Sequence, residues 1–496
     1  MTTRENKPAL RLLCLALALA LGGCALAPRY DAPPAIETPV AFKEGQGEWV
    51  RATPADAAER GPWWQAFDDP VLNDLAVRVE VSNQNVAASV AAYAQARALV
   101  AQQRAALFPT VTLNGSGNRS GSRGGGGGGT TVNSTTGTVV SAGGSERNTF
   151  QFNIGGSWEP DVWGRLSGAL AGARASEQAS FADLASARLS AQGELAVNYF
   201  NLRSLDLQRD LLARTVTGYE RNVTITNNRY TAGIAARTDL LQAQTQLANA
   251  RADLLGLEQQ RAQLEHAIAV LVGQAPASFS LKAEPTWRLQ VPAVPAALPS
   301  TLLQRRPDIA AAERRVAQAN EEIGVARAAY FPSLRLTGSA GSSAATVGDL
   351  FSASALVWSL GLSAAQTVFN AGATGAQVEG ARAAFEQAAA RYRQAVLAAF
   401  QSVEDQLAAT RILAEQLALR EEASRSADLV EQQVLNRYQA GQVAFTEVIT
   451  AQQTAQNARR ALVQLQADRQ VAAVSLIQAL GGGWPGLDAG TAAAAR

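Results

Sequence analysis

Two long stretches of the chain carry apolar side chains at alternating steps of four and three. Leu212, Val216, Tyr219 and Val223 mark the first stretch, and Val396, Phe400, Val403 and Leu407 the second. This spacing predicts α-helices that pack along a coiled-coil seam. Each stretch has a return limb: Leu254, Leu257, Arg261, Leu264 and Ile268 stand 208 residues before Leu462, Leu465, Arg469, Ala472 and Leu476, so even an arginine recurs at the same point of the stripe. The two hairpins are therefore expected in equivalent surroundings. No proline interrupts either region, from Pro160 to Pro276 or from Pro332 to Pro485. From Leu166 to the first turn is about 60 residues, or on the order of 90 Å of helix at ~1.5 Å per residue.

Where each outbound limb ends, a motif recurs. Asn228-Arg229-Tyr230-Thr231-Ala232-Gly233 returns as Asn436-Arg437-Tyr438-Gln439-Ala440-Gly441 at the same offset of 208 (436 − 228), and Thr238-Asp239 answers Thr446-Glu447. A glycine followed by a threonine–acid pair predicts one helix ending and the next beginning, so each copy is read as the tip of a helical hairpin.

Elsewhere the period changes from helical to twofold. Val111, Leu113 and Gly115 alternate with Thr110, Thr112, Asn114 and Ser116, and Phe150, Phe152, Ile154 and Trp158 alternate with Gln151, Asn153, Gly155 and Ser157. A second pair follows, in which Leu336, Gly338 and Ser339 keep step with Leu113, Gly115 and Ser116, and Trp358, Leu360 and Leu362 share one face. Strands of nine to ten residues, apolar on one face and small-polar on the other, fit a membrane barrel with a wet lumen, or a half-buried soluble hairpin. The match of Arg104-Ala105-Ala106-Leu107-Phe108-Pro109 with Arg327-Ala328-Ala329-Tyr330-Phe331-Pro332 has an offset of 223 (327 − 104), so the first copy holds about fifteen extra residues. The Gly124 to Gly129 tract is their natural place, as an exposed low-complexity loop. No Lys-Ser/Thr follows it, which argues against a phosphate cradle. Before the first strand, Asp69-Pro70 opens a helix that the pattern carries unbroken for about 35 residues, to Ala106.

Composition narrows the class. The 43 basic and 42 acidic residues nearly balance, which gives no footprint for nucleic acid, and the low aromatic fraction suits extended helices with a thin seam. The N-terminus has Arg4, Lys7 and Arg11, an apolar run from Leu12 to Leu21, then Leu21-Gly22-Gly23-Cys24. This is a secretory signal too short to span a membrane, and its end resembles the bacterial lipobox, which implies cleavage before Cys24 and acylation of its thiol. An ordinary signal peptide with a chance cysteine is the alternative. Ala25, rather than Asp, follows Cys24, which points to the outer membrane. Cys14 would be removed, leaving no disulfide.

Four strands cannot close a barrel, and lipid does not tolerate open strand edges, so membrane strands here require several copies. Three copies would supply twelve strands and six hairpins; the pattern alone does not fix the number. Several motifs then carry a resemblance: the lipobox, Trp63-Trp64 with Phe67-Asp68-Asp69-Pro70, Arg305-Arg306-Pro307-Asp308-Ile309 with Ala311-Ala312-Glu313, Ala329-Tyr330-Phe331-Pro332-Ser333, and the two Arg-Tyr-x-Ala-Gly tips. Their order across the mature chain resembles the TolC-like outer membrane efflux family, in its NodT-type lipoprotein branch.

The resemblance implies an α+β protein. An outer-membrane β-barrel, with four strands per protomer and twelve in a trimer, would continue into a long periplasmic α-helical coiled-coil barrel, with two internal structural repeats. The expected organisation is a signal peptide at 1–23 and a lipid-anchored arm at 24–62. The first repeat is 63–274, with strands at about 110–118 and 149–159 and a tip at 228–239. A linker or collar follows at 275–300. The second repeat is 301–482, with strands at about 333–340 and 356–364 and a tip at 436–447, and a disordered tail covers 483–496. The implied partners are a homotrimer, outer membrane lipid, a periplasmic adaptor and an inner-membrane pump, of the proton-driven resistance-nodulation-division type. The implied cargo is drugs, solvents, dyes or metal ions.

Carried onto these residues, the family's periplasmic gate falls on Glu447, with Thr450 one turn later where relatives often have Asp. Three Glu447 side chains about one axis would attract cations, while a solvated helix-start acid is the alternative. Arg229, Tyr230, Gly233, Asp239, Arg437, Tyr438 and Gly441 form the tips, for adaptor contact or for hairpin packing. Arg305, Arg306 and Asp308 are expected to form an ion-pair network in the collar. His266 is the only histidine and is read as a surface helix residue; no catalytic group, metal site or cofactor is expected. Two competing readings are a type I secretion or metabolite-export outlet and a coiled-coil envelope lipoprotein without a pore.

Overall fold

The computed structural model describes residues 27–30, 42–44, 62–121, 146–287, 291–292 and 306–483. Cys24 and its lipobox, the Gly124 to Gly129 tract, Arg305, part of the 275–300 linker and the tail beyond 483 lie outside the described residues. The chain divides into two compact units. The first contains Arg97–Ala175 and Ala317–Glu386, and the second Ala32–Ala96, Ser176–Val316 and Gln387–Arg496.

The first unit holds a four-stranded antiparallel sheet in the order β1 (Thr110–Gly121), β2 (Glu146–Trp158), β3 (Ser333–Ala344) and β4 (Leu356–Ala365). Partners share a face, and the register sets Leu113 across from Ile154, Ile154 across from Ala340, and Ala340 across from Trp358. One face therefore reads Val111, Leu113, Phe152, Ile154, Leu336, Trp358, Leu360 and Leu362. The other is hydroxyl-rich and bonded across strands: Thr110 Oγ1 lies 3.0 Å from Ser157 Oγ, and Ser339 Oγ lies 2.8 Å from Ser359 Oγ. The apolar face is solvent-exposed in the single chain, with Leu360 73% and Leu362 71% accessible.

The second unit is helical. A short 3-10 helix, Trp63–Phe67, leads to α1 (Pro70–Ser82) and α2 (Gln84–Ala105). The single 35-residue helix expected here is broken at Asn83, whose backbone is extended. Its buried side chain accepts from Asn85 N and Val86 N at 2.9 and 3.1 Å and donates to Leu271 O at 2.8 Å. An asparagine that caps the next helix competes with continuing the last one. Trp63, Trp64, Phe67, Leu72 and Leu75 pack against Tyr199, Phe200 and Ile268 in one apolar core.

Long hairpins make up the rest: α3 (Arg165–Thr231) with α4 (Arg237–Leu271), and, after α5 (Pro307–Ala328), α6 (Ala373–Gln439) with α7 (Phe445–Ala479). Helices α3 and α6 have 67 residues each, and α4 and α7 have 35 each. Every boundary of the second hairpin falls 208 residues after its counterpart (373 − 165, 479 − 271). Helix α5 and strand β3 fall 223 residues after α2 and β1 (307 − 84, 333 − 110).

Candidate functional site

Both tips close by the same backbone device. In the first, Gly233 N donates to Tyr230 O at 2.9 Å and Ile234 N to Arg229 O at 2.8 Å; in the second, Gly441 N donates to Tyr438 O and Gln442 N to Arg437 O, both at 2.9 Å. These paired bonds satisfy the last carbonyls of each helix and need a left-handed residue after it. Gly233 and Gly441 supply it, with φ of 72° and 75°. Asp239 N and Glu447 N then donate to the carbonyls of Ala236 and Ala444 as the return helices start.

The side chains diverge on this shared backbone. Tyr438 is 5% exposed and Tyr230 40%. The Tyr438 ring lies 5.3 Å from that of Phe445, in a cluster with Ala243 and Val448. Arg229 of the first hairpin covers it: its guanidinium sits 4.9 Å above the Tyr438 ring and Nη1 donates to Tyr438 O at 3.3 Å. This contact between a cation and an aromatic face joins the two tips. Arg437 and Tyr230 are both exposed and take no equivalent place. At the position of Phe445 the first hairpin has Arg237, so it has no ring to build such a cluster.

Glu447 and Thr450 are exposed on α7, and Asp239 is half-buried on α4. Glu447, Thr446, Thr450 and Thr454 line a groove of about 400 Å³ together with Val430 and Val434 of α6. Thr450 Oγ1 donates to Thr446 O at 3.0 Å and Thr454 Oγ1 to Thr450 O at 2.8 Å. These threonines thus bond their own helix and add no charge beside Glu447. A larger groove of about 820 Å³ runs between the hairpins, lined by Gln242, Thr245, Asn249, Thr446, Gln453 and Gln456 among others. Its polar lining is hydroxyl and amide, with Asp253 and Arg460 as its ionic groups, and Leu241, Ala250 and Ile449 add apolar surface.

One structural pair was hidden in the repeat. Arg251 bonds Glu220 at 2.7 Å, and Arg459 bonds Asp428 at 2.7 Å. Both members recur at 208, so the pair was detectable by asking which acids repeat together with the arginines. Arg459 also binds Glu431 at 2.7 Å, where the first hairpin has Val223. Tyr219, beside Gln456 at 3.4 Å, has its phenol pushed up from the ordinary value by burial.

The collar side chains are also tied down. Arg306 bonds both Asp308 carboxylate oxygens at 3.0 and 2.7 Å and donates to Ala479 O, in the last turn of α7, at 3.0 Å. A cation at a helix C-terminus meets its free carbonyls and the negative end of its dipole. Asp69, expected only to open a helix, does more. It caps α1 through Val71 N and Leu72 N and accepts from the Tyr199 hydroxyl at 2.7 Å and Trp287 Nε1 at 3.0 Å. Burial, then the bond to Asp69, pushes the Tyr199 phenol well above its ordinary value. Arg203, Asp206 and Arg261 continue this buried network, which no sequence motif announced. His266 is exposed on α4.

A family model described as outer membrane efflux protein matches residues 75–274 and 298–482. The chain belongs to the outer membrane efflux protein family. It is similar to the antibiotic efflux pump outer membrane protein ArpC of Pseudomonas putida, 33% identical, with 95% of this chain and 96% of that protein covered. It is similar also to the pyoverdine export outer membrane protein OpmQ of Pseudomonas aeruginosa, 32% identical over 88% of this chain and 91% of the relative. Among solved structures, the outer-membrane channel OprN superposes with a TM-score of 0.79 at 28% identity, over 93% of this chain and 100% of that one. This efflux protein is thus an outer membrane channel component, mostly helical with one four-stranded sheet, and its family is one of transport rather than catalysis.

Proposed function

We propose that this efflux protein is the passive outer membrane conduit of a tripartite system, closed by three copies of the chain. The observation that carries this reading is the sheet: an apolar face turned to solvent, a hydroxyl-rich face, and two edge strands, β1 and β4, each with no partner on its outer side among the described residues. An exposed apolar sheet face needs a cover, and lipid is the cover that also demands paired edges. No helix among the described residues is long and apolar enough to cross a membrane, so the strands are the candidates for crossing. Acylation at Cys24 would add a lipid anchor.

In this reading the two halves are structural repeats and the helices of the second unit line a periplasmic tunnel. The second tip, with Glu447 and Thr450 on an open face, forms the aperture, and the first tip supports it through Arg229. A periplasmic adaptor docks on the hairpins and an inner-membrane pump of the resistance-nodulation-division type supplies the drive. Cargo is small: drugs, solvents or metal ions. A second reading, an outlet for an exported metabolite, has the support of the OpmQ relative, which is named for pyoverdine export.

The experiment is reconstitution. The purified protein should sediment with outer membranes and open discrete pores in planar bilayers. A soluble monomer without conductance overturns the proposal.

A further inference from the structure

The hydroxyl-rich face of the sheet carries charge of one sign. The register that sets Thr110, Ser157, Thr337 and Gly361 in one row also assigns Arg147, opposite Ser120, and Arg335, opposite Ser363, to this face. No Asp or Glu among the described strand residues shares it. The one strand acid, Glu146, belongs to the apolar face, where it bonds Arg119 across the strands. The acids that follow β2 are engaged as well: Glu159 accepts from Arg165 at 2.7 and 3.1 Å, and Asp161 caps α3 by accepting from Leu166 N and Ser167 N at 2.8 and 2.7 Å.

Neither arginine is needed by the fold. Both are exposed, and neither forms an ion pair with a described residue. The repeat makes the same point: Thr112 stands 223 residues before Arg335 and Ala355 stands 208 residues after Arg147, so neither position demands a cation. A guanidinium stays charged at every physiological pH, and here nothing on its own face neutralises it. Thr337 faces Ser157, so Arg335 is level with position 159 and lies 12 residues (159 − 147) along β2 from Arg147. At ~3.4 Å per residue the two are about 40 Å apart, several times the ~8 Å screening length of physiological salt. They therefore act as two separate cationic zones, one toward each end of the strands.

We propose that this face makes the barrel lumen favour anions, with Arg335 and Arg147 as its selectivity residues. The inference rests on the reading above, in which lipid covers the apolar face and several copies close the barrel, and adds to it a charge class: small anions, inorganic or carboxylate-bearing, pass the strand section more readily than cations of the same size. Repetition of the chain about one axis turns each arginine into a ring of like charges, and rings of Arg or Lys are how pores select anions. The hydroxyls and amides between the rings offer hydrogen-bond donors and no countercharge. The aperture acid Glu447 lies on α7, in the other unit, so its opposing charge can be removed separately.

Reversal potentials in planar bilayers under a potassium chloride gradient read this balance. In a Glu447→Ala background the channel should prefer chloride. Adding Arg335→Gln should shift the reversal potential toward potassium, adding Arg147→Gln should shift it further, and Arg335→Lys should leave it in place. A reversal potential that ignores both arginines overturns the proposal and leaves the conduit standing; a wild type that opens no pore overturns the conduit on which the proposal rests. A second measurement needs no conductance. Thr337→Cys puts a thiol on the same face, two residues from Arg335, and the unsubstituted protein sets the background. In outer membranes this thiol should react faster with an anionic methanethiosulfonate than with a cationic one, after correction for each reagent's rate with a free thiol, and the ratio should fall in Thr337→Cys/Arg335→Gln. A ratio that favours the cationic reagent, or one that Arg335→Gln does not change, overturns the proposal. A thiol that neither reagent reaches overturns the assignment of this face to a wet lumen.

Discussion

The two hairpin tips share a backbone and not a chemistry. Gly233 and Gly441 take the same left-handed conformation and close the same pair of hydrogen bonds, yet Tyr438 is buried beneath Arg229 and beside Phe445 while Tyr230 stands in solvent. The turn is the same in both, because glycine accepts that φ cheaply, while the faces differ. The first tip contributes a cation; the second contributes the rings and the apolar cluster that receive it. The difference identifies the second tip as the packed member of the pair and the first as its support.

The largest expected effect comes from breaking that packing. Tyr438→Ala should destabilise the second tip by about 3 kcal/mol, as large-to-small changes at buried aromatic positions do, and Tyr230→Ala by under about 0.5 kcal/mol. Amide hydrogen exchange around Val434 to Ile449 would read the contrast; equal effects would end the distinction between the tips. Next are the glycines. Gly233→Ala and Gly441→Ala should each cost about 1 kcal/mol, because a Cβ at either position meets nothing within 4 Å and only backbone strain remains. Thermal unfolding that separates them widely would show that the turns are not equivalent. Arg229→Gln should cost about 1 kcal/mol by removing the contact with the Tyr438 ring, with Arg229→Lys losing less, while Arg437→Gln should cost nothing measurable. The smallest contrast is between Arg459→Ala, which frees two acids, and Arg251→Ala, which frees one more exposed acid. The first should exceed the second by roughly 0.5 kcal/mol in a denaturant titration.

The elements governed by local chemistry were legible in the chain. The strands followed from twofold alternation, the helix starts from Asp69-Pro70, and the tips from a glycine at the end of a periodic run. What escaped depended on distant partners. The break at Asn83 is held by the Leu271 carbonyl, 188 residues away, and the apolar spacing continues across it. Arg229 and Tyr438 both sit in the repeated motif, but nothing in one copy says that its arginine packs on the tyrosine of the other copy. Asp69 looked like a helix cap, and its bonds to Tyr199 and Trp287 could not be read from either neighbourhood. The expectation of equivalent surroundings holds for the backbone of the hairpins, while the divergence at the tips is itself legible in the sequence, where Arg237-Thr238-Asp239-Leu240 and Phe445-Thr446-Glu447-Val448 occupy matching positions.

In the proposed channel the aperture belongs to the second tip. Single-channel recording of the wild type beside Glu447→Ala and Asp239→Ala, in planar bilayers of defined salt, addresses it directly. Discrete conductance is expected of the wild type, with a loss of cation preference in Glu447→Ala and no change in Asp239→Ala. A wild type that does not conduct, or a selectivity that moves with Asp239 and ignores Glu447, would contradict it.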